Sequence, residues 1–235
     1  MCNLPLSEMC DTTAGSQRVA ENRNLKAGNT MLDANWPDSW RGAFRIELRA
    51  EAIGLAWRGW PVLPGIDPAP IAGGDDLTWR RPVPAIDAWR EQIGTHAHEV
   101  ATWFSDRTHS LLVATGTVLD AIEVDDEIGK RACRLLRALG HPAPIIALPN
   151  GRWLFLTTVA DHVPAELATR ASVQWHGKDS YIPLPPSPFQ HGVVHWRVKP
   201  EVCGWQLPDA AEVHDVLVRA LAGEHSPQLV QTSAA

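Results

Sequence analysis

The run from Ser110 to Thr158 constrains the fold more than any other part of the chain. Four apolar stretches of strand length, "SLLVATG", "TVLDAIEVD", "APIIALP" and "RWLFLTT", follow one another with a single helical pattern among them. A Thr-Gly-Thr turn separates the first two, and Asn150-Gly151 separates the last two. Turn residues of this kind between apolar runs favour antiparallel hairpins. The intervening "DEIGKRACRLLRALG" has helical spacing. Ile128, Ala132, Leu135, Leu136 and Leu139 form its apolar stripe, Lys130, Arg131, Arg134 and Arg137 lie opposite, and Gly140 ends it. Hairpins rather than regular strand–helix–strand crossovers predict an α+β fold.

The flanks add helices. In "AFRIELRAEAIGLAWRGW", Ile46, Ala50, Ile53, Trp57 and Trp60 recur at helical intervals, and "WPVLPG" follows as a short strand and turn. Residues 65–84, with many Pro and Gly, predict a long loop, and "PAIDAWREQIG" and "HEVATWFSD" two short helices. Further on, "VPAELATR" reads as a short helix, and "ASVQW", "SYIPLP" and "GVVHWRV" as strands. The last helix, "PDAAEVHDVLVRALAG", opens on a capping-box pattern of Asp209 and Glu212, with Val213, Val216, Leu217, Ala220 and Leu221 as its buried side. The expected organisation is a disordered extension over 1–42, one domain over 43–222 and a frayed tail over 223–235.

Bulk properties narrow the function classes. A net charge of −6 excludes polyanion binding by overall charge, so any nucleic-acid contact must come from a local patch. Cys2, Cys10, Cys133 and Cys203 form no Cys-x-x-Cys pair and have no His at zinc-ligand spacing, so they are expected as free thiols in a reducing compartment. The N-terminus lacks a basic region followed by a long apolar run, and no apolar segment reaches the ~18 residues that span a bilayer. No membrane association and a cytoplasmic location are expected. The sequence contains no P-loop, G-x-S-x-G or G-x-G-x-x-G motif.

The chemistry concentrates at the end of "VLDAIEVDDEIG". Glu123 and Asp125 are two residues apart on a strand, so they share a face with Cα atoms roughly 6.6–6.8 Å apart. Two carboxylates at that spacing can converge on one divalent ion. The alternative is a strand that simply ends in water. Asp126 and Glu127, at the start of the following helix, are explained by the helix dipole.

Several pieces in order then carry a resemblance. A leading helix runs into "GWPVLPG"; a Trp-containing helix precedes "LLVATG"; "AIEVDDEIG" supplies an acidic pair before a helix; "GRWLF" follows; and "GKDSYIPLPPSPFQHGVVHW" closes the series. From about Ala50 to Trp205 the chain resembles the N-terminal catalytic domain of bifunctional DNA primase/polymerases, of the archaeo-eukaryotic primase superfamily. The resemblance implies an RRM-like antiparallel sheet flanked by helices and nucleotidyl transfer on a DNA template. In active members three carboxylates hold two Mg²⁺ or Mn²⁺ ions, and a histidine holds the incoming nucleotide's phosphates.

Carried over residue by residue, the catalytic and metal-binding pair falls on Glu123 and Asp125. The third carboxylate falls on Gln174, a neutral amide and a poor ligand for a hard dication. A register one or two residues different brings His176 or Asp179 to that place. The histidine falls on Trp153, whose indole has one N–H and no charge. Arg152, Trp153, Lys178 and Ser180 are the candidate nucleotide contacts. The pattern therefore implies a domain that handles nucleotides or nucleic acid with metal-dependent transfer weakened or lost. The metal is Mg²⁺ or Mn²⁺ if it is active, and no cofactor otherwise. The alternative is a non-catalytic or regulatory module that uses the old cleft for nucleic acid or a protein partner. Bifunctional members usually attach a helicase domain, so action on DNA is expected either as a stand-alone domain or with a separate helicase or replication partner.

Other charged groups have blander readings. Lys130, Arg134 and Arg137 form either a backbone-contacting stripe or a solvated helix face. Arg80, Arg81 and Arg90 make a second possible patch, and Arg197 a flank of the cleft. His96 and His98 are two apart on a helix and are expected as surface residues, not as joint metal ligands.

Overall fold

The structure is a computed structural model that describes residues 38–66, 81–93, 96–105, 110–189 and 192–223. The expected extension and tail fall almost wholly outside these residues. So does Arg80, along with most of the predicted long loop. The described part of the extension is already helical: α1 runs Asp38–Trp57. The remaining helices are α2 (Ala97–Trp103), α3 (Asp126–Leu139), α4 (Ala165–Ala168) and α5 (Ala210–Ala222). Of "PAIDAWREQIG" only a 3₁₀ turn, Trp89–Gln92, forms.

Eleven strands are present among the described residues: β1 (Val62–Ile66), β2 (Val83–Pro84), β3 (Ser110–Ala114), β4 (Asp120–Asp125), β5 (Ile145–Ala147), β6 (Arg152–Thr157), β7 (Gln174–His176), β8 (Tyr181–Pro183), β9 (Pro188–Phe189), β10 (Gly192–Val193) and β11 (His195–Val198). They build a four-stranded sheet in the order β2-β1-β3-β8, a five-stranded sheet in the order β11-β5-β6-β4-β7, and the small pair β10-β9. All pairings are antiparallel. Helices with antiparallel sheets give the α+β class read from the sequence.

The period-two alternation of β4 and β6 separates two cores. Ile122, Val124, Trp153 and Phe155 face α3 and α5, which contribute Ile128, Ala132, Leu136, Val213, Val216 and Leu217. Ala121, Leu154 and Leu156 face the other way, toward Leu48, Ala52 and Leu55 of α1 and toward Leu111 and Val113 of β3. At roughly 25 cal/mol per Å² of apolar surface removed from water, these two layers are the main source of stability. The catalytic-type pair sits at the end of the second face, where the core gives way to a cleft.

Three local expectations change. The hairpin expected between "SLLVATG" and "TVLDAIEVD" does not form. Strand β3 already pairs with β1 on one side and β8 on the other, so it has no free edge for β4. Gly116, at φ +88°, turns the chain into the second sheet, and its N–H donates to the Leu119 carbonyl at 2.9 Å. A left-handed φ of this kind suits glycine. The second change is in α1, which buries Leu48, Ala52 and Leu55 and leaves Ile46 and Trp57 exposed. Apolar residues occur on more than one side of this helix, so periodicity alone does not select the buried face. Third, Asp209 caps α5 by accepting from the Ala211 N–H at 2.8 Å, whereas Glu212 meets His141 at 3.0 Å instead of completing a capping box. The β5–β6 hairpin at Asn150-Gly151 forms as expected, and Gly140 caps α3 at φ +76°.

Candidate active site

Three strands assemble the site. Register places Glu123 opposite Leu154 of β6 and Gln174 of β7, and Asp125 opposite Arg152. Residues directly opposite in an antiparallel pair share a face, and so do residues two apart on a strand. Glu123, Asp125, Arg152, Gln174 and His176 are therefore neighbours on one face. The structure brings the predicted pair together with the predicted third position.

Trp153 is placed elsewhere. It lies opposite Val124, on the face packed by the helices, and is 7% exposed. Its indole rests on Gly129 of α3, where an added Cβ would lie 2.8 Å from ring carbons, and the Arg197 guanidinium sits 5.0 Å from its ring centre. It takes no part in the cleft. At this end of β6 the side chain that reaches the cleft is Arg152.

Glu123 is the centre of the network and is 2% exposed. Arg152 donates from Nε to its Oε1 at 2.8 Å. His176 Nε2 lies 2.9 Å from Oε2, and the Arg81 guanidinium makes a very short ion pair with the same oxygen. An ionised carboxylate only accepts, so Nε2 carries the proton, and a neutral ring is left to accept from Ser180 Oγ at Nδ1, 3.3 Å away. The 3.3 Å approach of Arg81 Nη1 to His176 Nε2 is then two donors converging on one carboxylate. Burial pushes the Glu123 pKa up, but the His176 hydrogen bond, the Arg81 charge and the Arg152 hydrogen bond outweigh it and bring the value down from 4.5 to about 2.

Arg152 is almost fully committed. Its Nη1 pairs closely with Asp125 and donates to the Ser172 carbonyl at 2.9 Å, and its Nη2 reaches the Glu123 carbonyl at 3.4 Å. Of its five donors only one N–H is left over, too few for the bidentate grip on a phosphate expected of a nucleotide contact. Gln174, exposed, presents Oε1 to Arg81 at 3.4 Å. At the mouth, Lys178 is exposed and Ser180 half-buried. Arg90 pairs with the Asp179 carboxylate at 3.3 Å.

This donor set does not fit a two-metal centre in the arrangement present. Both Glu123 oxygens and one Asp125 oxygen already accept from cations or from His176, and the third position offers a neutral amide. Two carboxylates face two guanidinium groups, so the cluster has no residual negative charge to attract a dication. Among the described residues, no group of three or more His, Cys, Asp or Glu side chains is placed to hold a metal ion.

Two members of the network carry little sequence signal. Arg81 arrives from just before β2, in the other sheet. His176 is detectable as the residue two beyond Gln174, hence on the same face. In the basic stripe of α3, Lys130 pairs with Asp126 at 2.8 Å and Glu127 at 2.9 Å, within its own helix. His96 and His98 stack with ring centres 5.8 Å apart.

Comparison with known proteins gives one family. The model of the N-terminal domain of bifunctional DNA primase/polymerases matches residues 52–211, a span that contains every strand and all the cleft residues. No curated protein sequence matches the chain. No described helix is long and apolar enough to cross a membrane. With more than half of its length matched, the chain belongs to the bifunctional DNA primase/polymerase N-terminal family.

Proposed function

We propose that this domain handles nucleotides or nucleic acid through the cleft lined by β4, β6 and β7, and that metal-dependent nucleotidyl transfer there is weakened or lost. One observation carries the reading. Gln174 lies in register beside Glu123, where a third carboxylate would complete a metal site, and it is neutral and bonded to Arg81. A two-metal transfer needs anionic oxygens that hold both ions against the triphosphate. Loss of such a ligand removes several kcal/mol of transition-state stabilisation.

Binding groups nevertheless remain at the mouth. Lys178 is exposed and Ser180 lies beside it in chain order, both within the loop that returns to β8. Trp175, although 39% exposed, lies opposite Ile122 and donates its Nε1–H to Asp120 at 3.2 Å, so its indole is turned to the other face of the sheet. An exposed cation with a hydroxyl two residues on can contact a phosphate of a strand or a nucleotide. The test is a fluorescence-anisotropy titration with a labelled single-stranded oligonucleotide, beside a primer-extension assay in Mn²⁺ with all four deoxynucleoside triphosphates. Salt-sensitive binding weakened in Lys178→Ala, without extension, is expected. Extension abolished in Asp125→Asn would overturn the loss of transfer, and absence of any binding would overturn the binding role.

A further inference from the structure

We infer that Arg81 and Arg152 are built-in cations that take the place of divalent metal at the Glu123–Asp125 pair, so that the cleft works without Mg²⁺ or Mn²⁺. The inference deepens the reading above by fixing the cofactor requirement of the same cleft. It rests on that cleft being the family's site, not on whether nucleic acid binds there.

Three features carry it. First, the carboxylates are saturated. Glu123 receives Arg152 and Ser180-braced His176 at 2.8 and 2.9 Å and a closer Arg81, while Asp125 receives Arg152. Second, the cations come from different elements. Arg152 is fixed on β6 directly opposite Asp125, and Arg81 reaches across from the segment preceding β2. The Arg81–Glu123 pair therefore ties the segment leading into the four-stranded sheet to the five-stranded one. Third, charge and burial match. Glu123 is 2% and Arg152 18% exposed at the side chain, so these charges are shielded from salt and depend on each other. A dication entering here must first break a buried ion pair, and Gln174 offers it no charge in return.

The two arginines are not equivalent. Arg152 is held by four acceptors, whereas Arg81 is 30% exposed and shares its contacts between Glu123 and Gln174. Arg81 is thus the one whose removal would reopen the carboxylates while Arg152 and His176 still partner Glu123.

The experiment is electron paramagnetic resonance titration of Mn²⁺ alone into the full chain, read as the difference between a protein and its Glu123→Gln counterpart. Wild type is compared with Arg81→Gln, and thermal melts confirm that each variant is folded. The expected result is no Glu123-dependent Mn²⁺ site in wild type up to about 1 mM. In Arg81→Gln such a site is expected to appear, tightened roughly tenfold or more. A Glu123-dependent site in wild type overturns the inference. So does a folded Arg81→Gln protein without one, because the arginine would then not be what excludes the metal. If Arg81→Gln does not fold, the wild-type comparison decides alone. Oligonucleotide binding unchanged by EDTA supports the inference, and its loss in EDTA counts against it. Failure to bind any oligonucleotide counts only against the binding role.

Discussion

Glu123 shows how a side-chain role changes with its partners. Its position on β4 was legible from the period-two spacing with Asp125, but its partners were not, because Arg81 and His176 are 42 and 53 residues away in the chain. A buried carboxylate held by two guanidinium groups and an imidazole is expensive to disrupt. Glu123→Gln leaves Arg81 without its carboxylate and Arg152 with Asp125 alone, and is expected to lower unfolding stability by roughly 3–5 kcal/mol in urea titrations. A neutral or stabilising effect would show the network to be superficial. The acid response follows from the same group. Its folded pKa, about 2, lies below the ordinary 4.5, so its contribution is complete above about pH 4.5 and is lost as pH falls toward 2. Wild type should lose more stability over that window than Glu123→Gln, as measured by chemical unfolding at fixed pH values. Trp153 is the opposite case. Sequence matching set it at a histidine position, yet strand parity turns it away from Glu123. Trp153→His should therefore cost roughly 3 kcal/mol of core packing and yield no primer extension. Extension by that variant would mean the residue reaches the cleft.

At the scale of elements, local turn chemistry was readable and long-range pairing was not. Asn150-Gly151 specified the β5–β6 hairpin directly. The turn at Gly116 looked similar in sequence but joins two sheets, because the partners of β3 are supplied by β1 and β8, outside the local window. Thr115 Oγ1 donates to the Gly177 carbonyl at 2.6 Å, and a Cβ on Gly116 would collide with the Lys178 backbone. Gly116→Ala should therefore destabilise by more than about 1 kcal/mol and loosen the Lys178 loop, read as a lower melting temperature and weaker oligonucleotide binding. An unchanged melt would contradict the sheet-switching role. Helix α5 offers a pH test. Its His214 is buried, and burial, with the His162 charge adding and Asp120 opposing, holds its pKa below the ordinary 6.5. The unfolded chain then binds the extra proton, so stability should fall as pH drops below about 6.5. Urea midpoints between pH 7.5 and 5.5 should show that slope in wild type and a flatter one in His214→Gln.

For the whole molecule, the ordered series of motifs disclosed the family and the α+β class, because both depend on element order along the chain. The state of the site did not follow from order alone. It depends on which cations the two sheets bring to one carboxylate pair, and on the parity of single strand positions. The molecule combines a primase/polymerase-type scaffold with an acidic pair whose carboxylates are paired with Arg81 and Arg152.

The most direct measurement is a crystal soaked with Mn²⁺ and a deoxynucleoside triphosphate, with data collected to reveal anomalous scattering from manganese. The account predicts Arg81 and Arg152 still on Glu123 and Asp125, with no manganese peak between the two carboxylates. A manganese peak bridging Glu123 and Asp125, with Arg81 displaced, would contradict it.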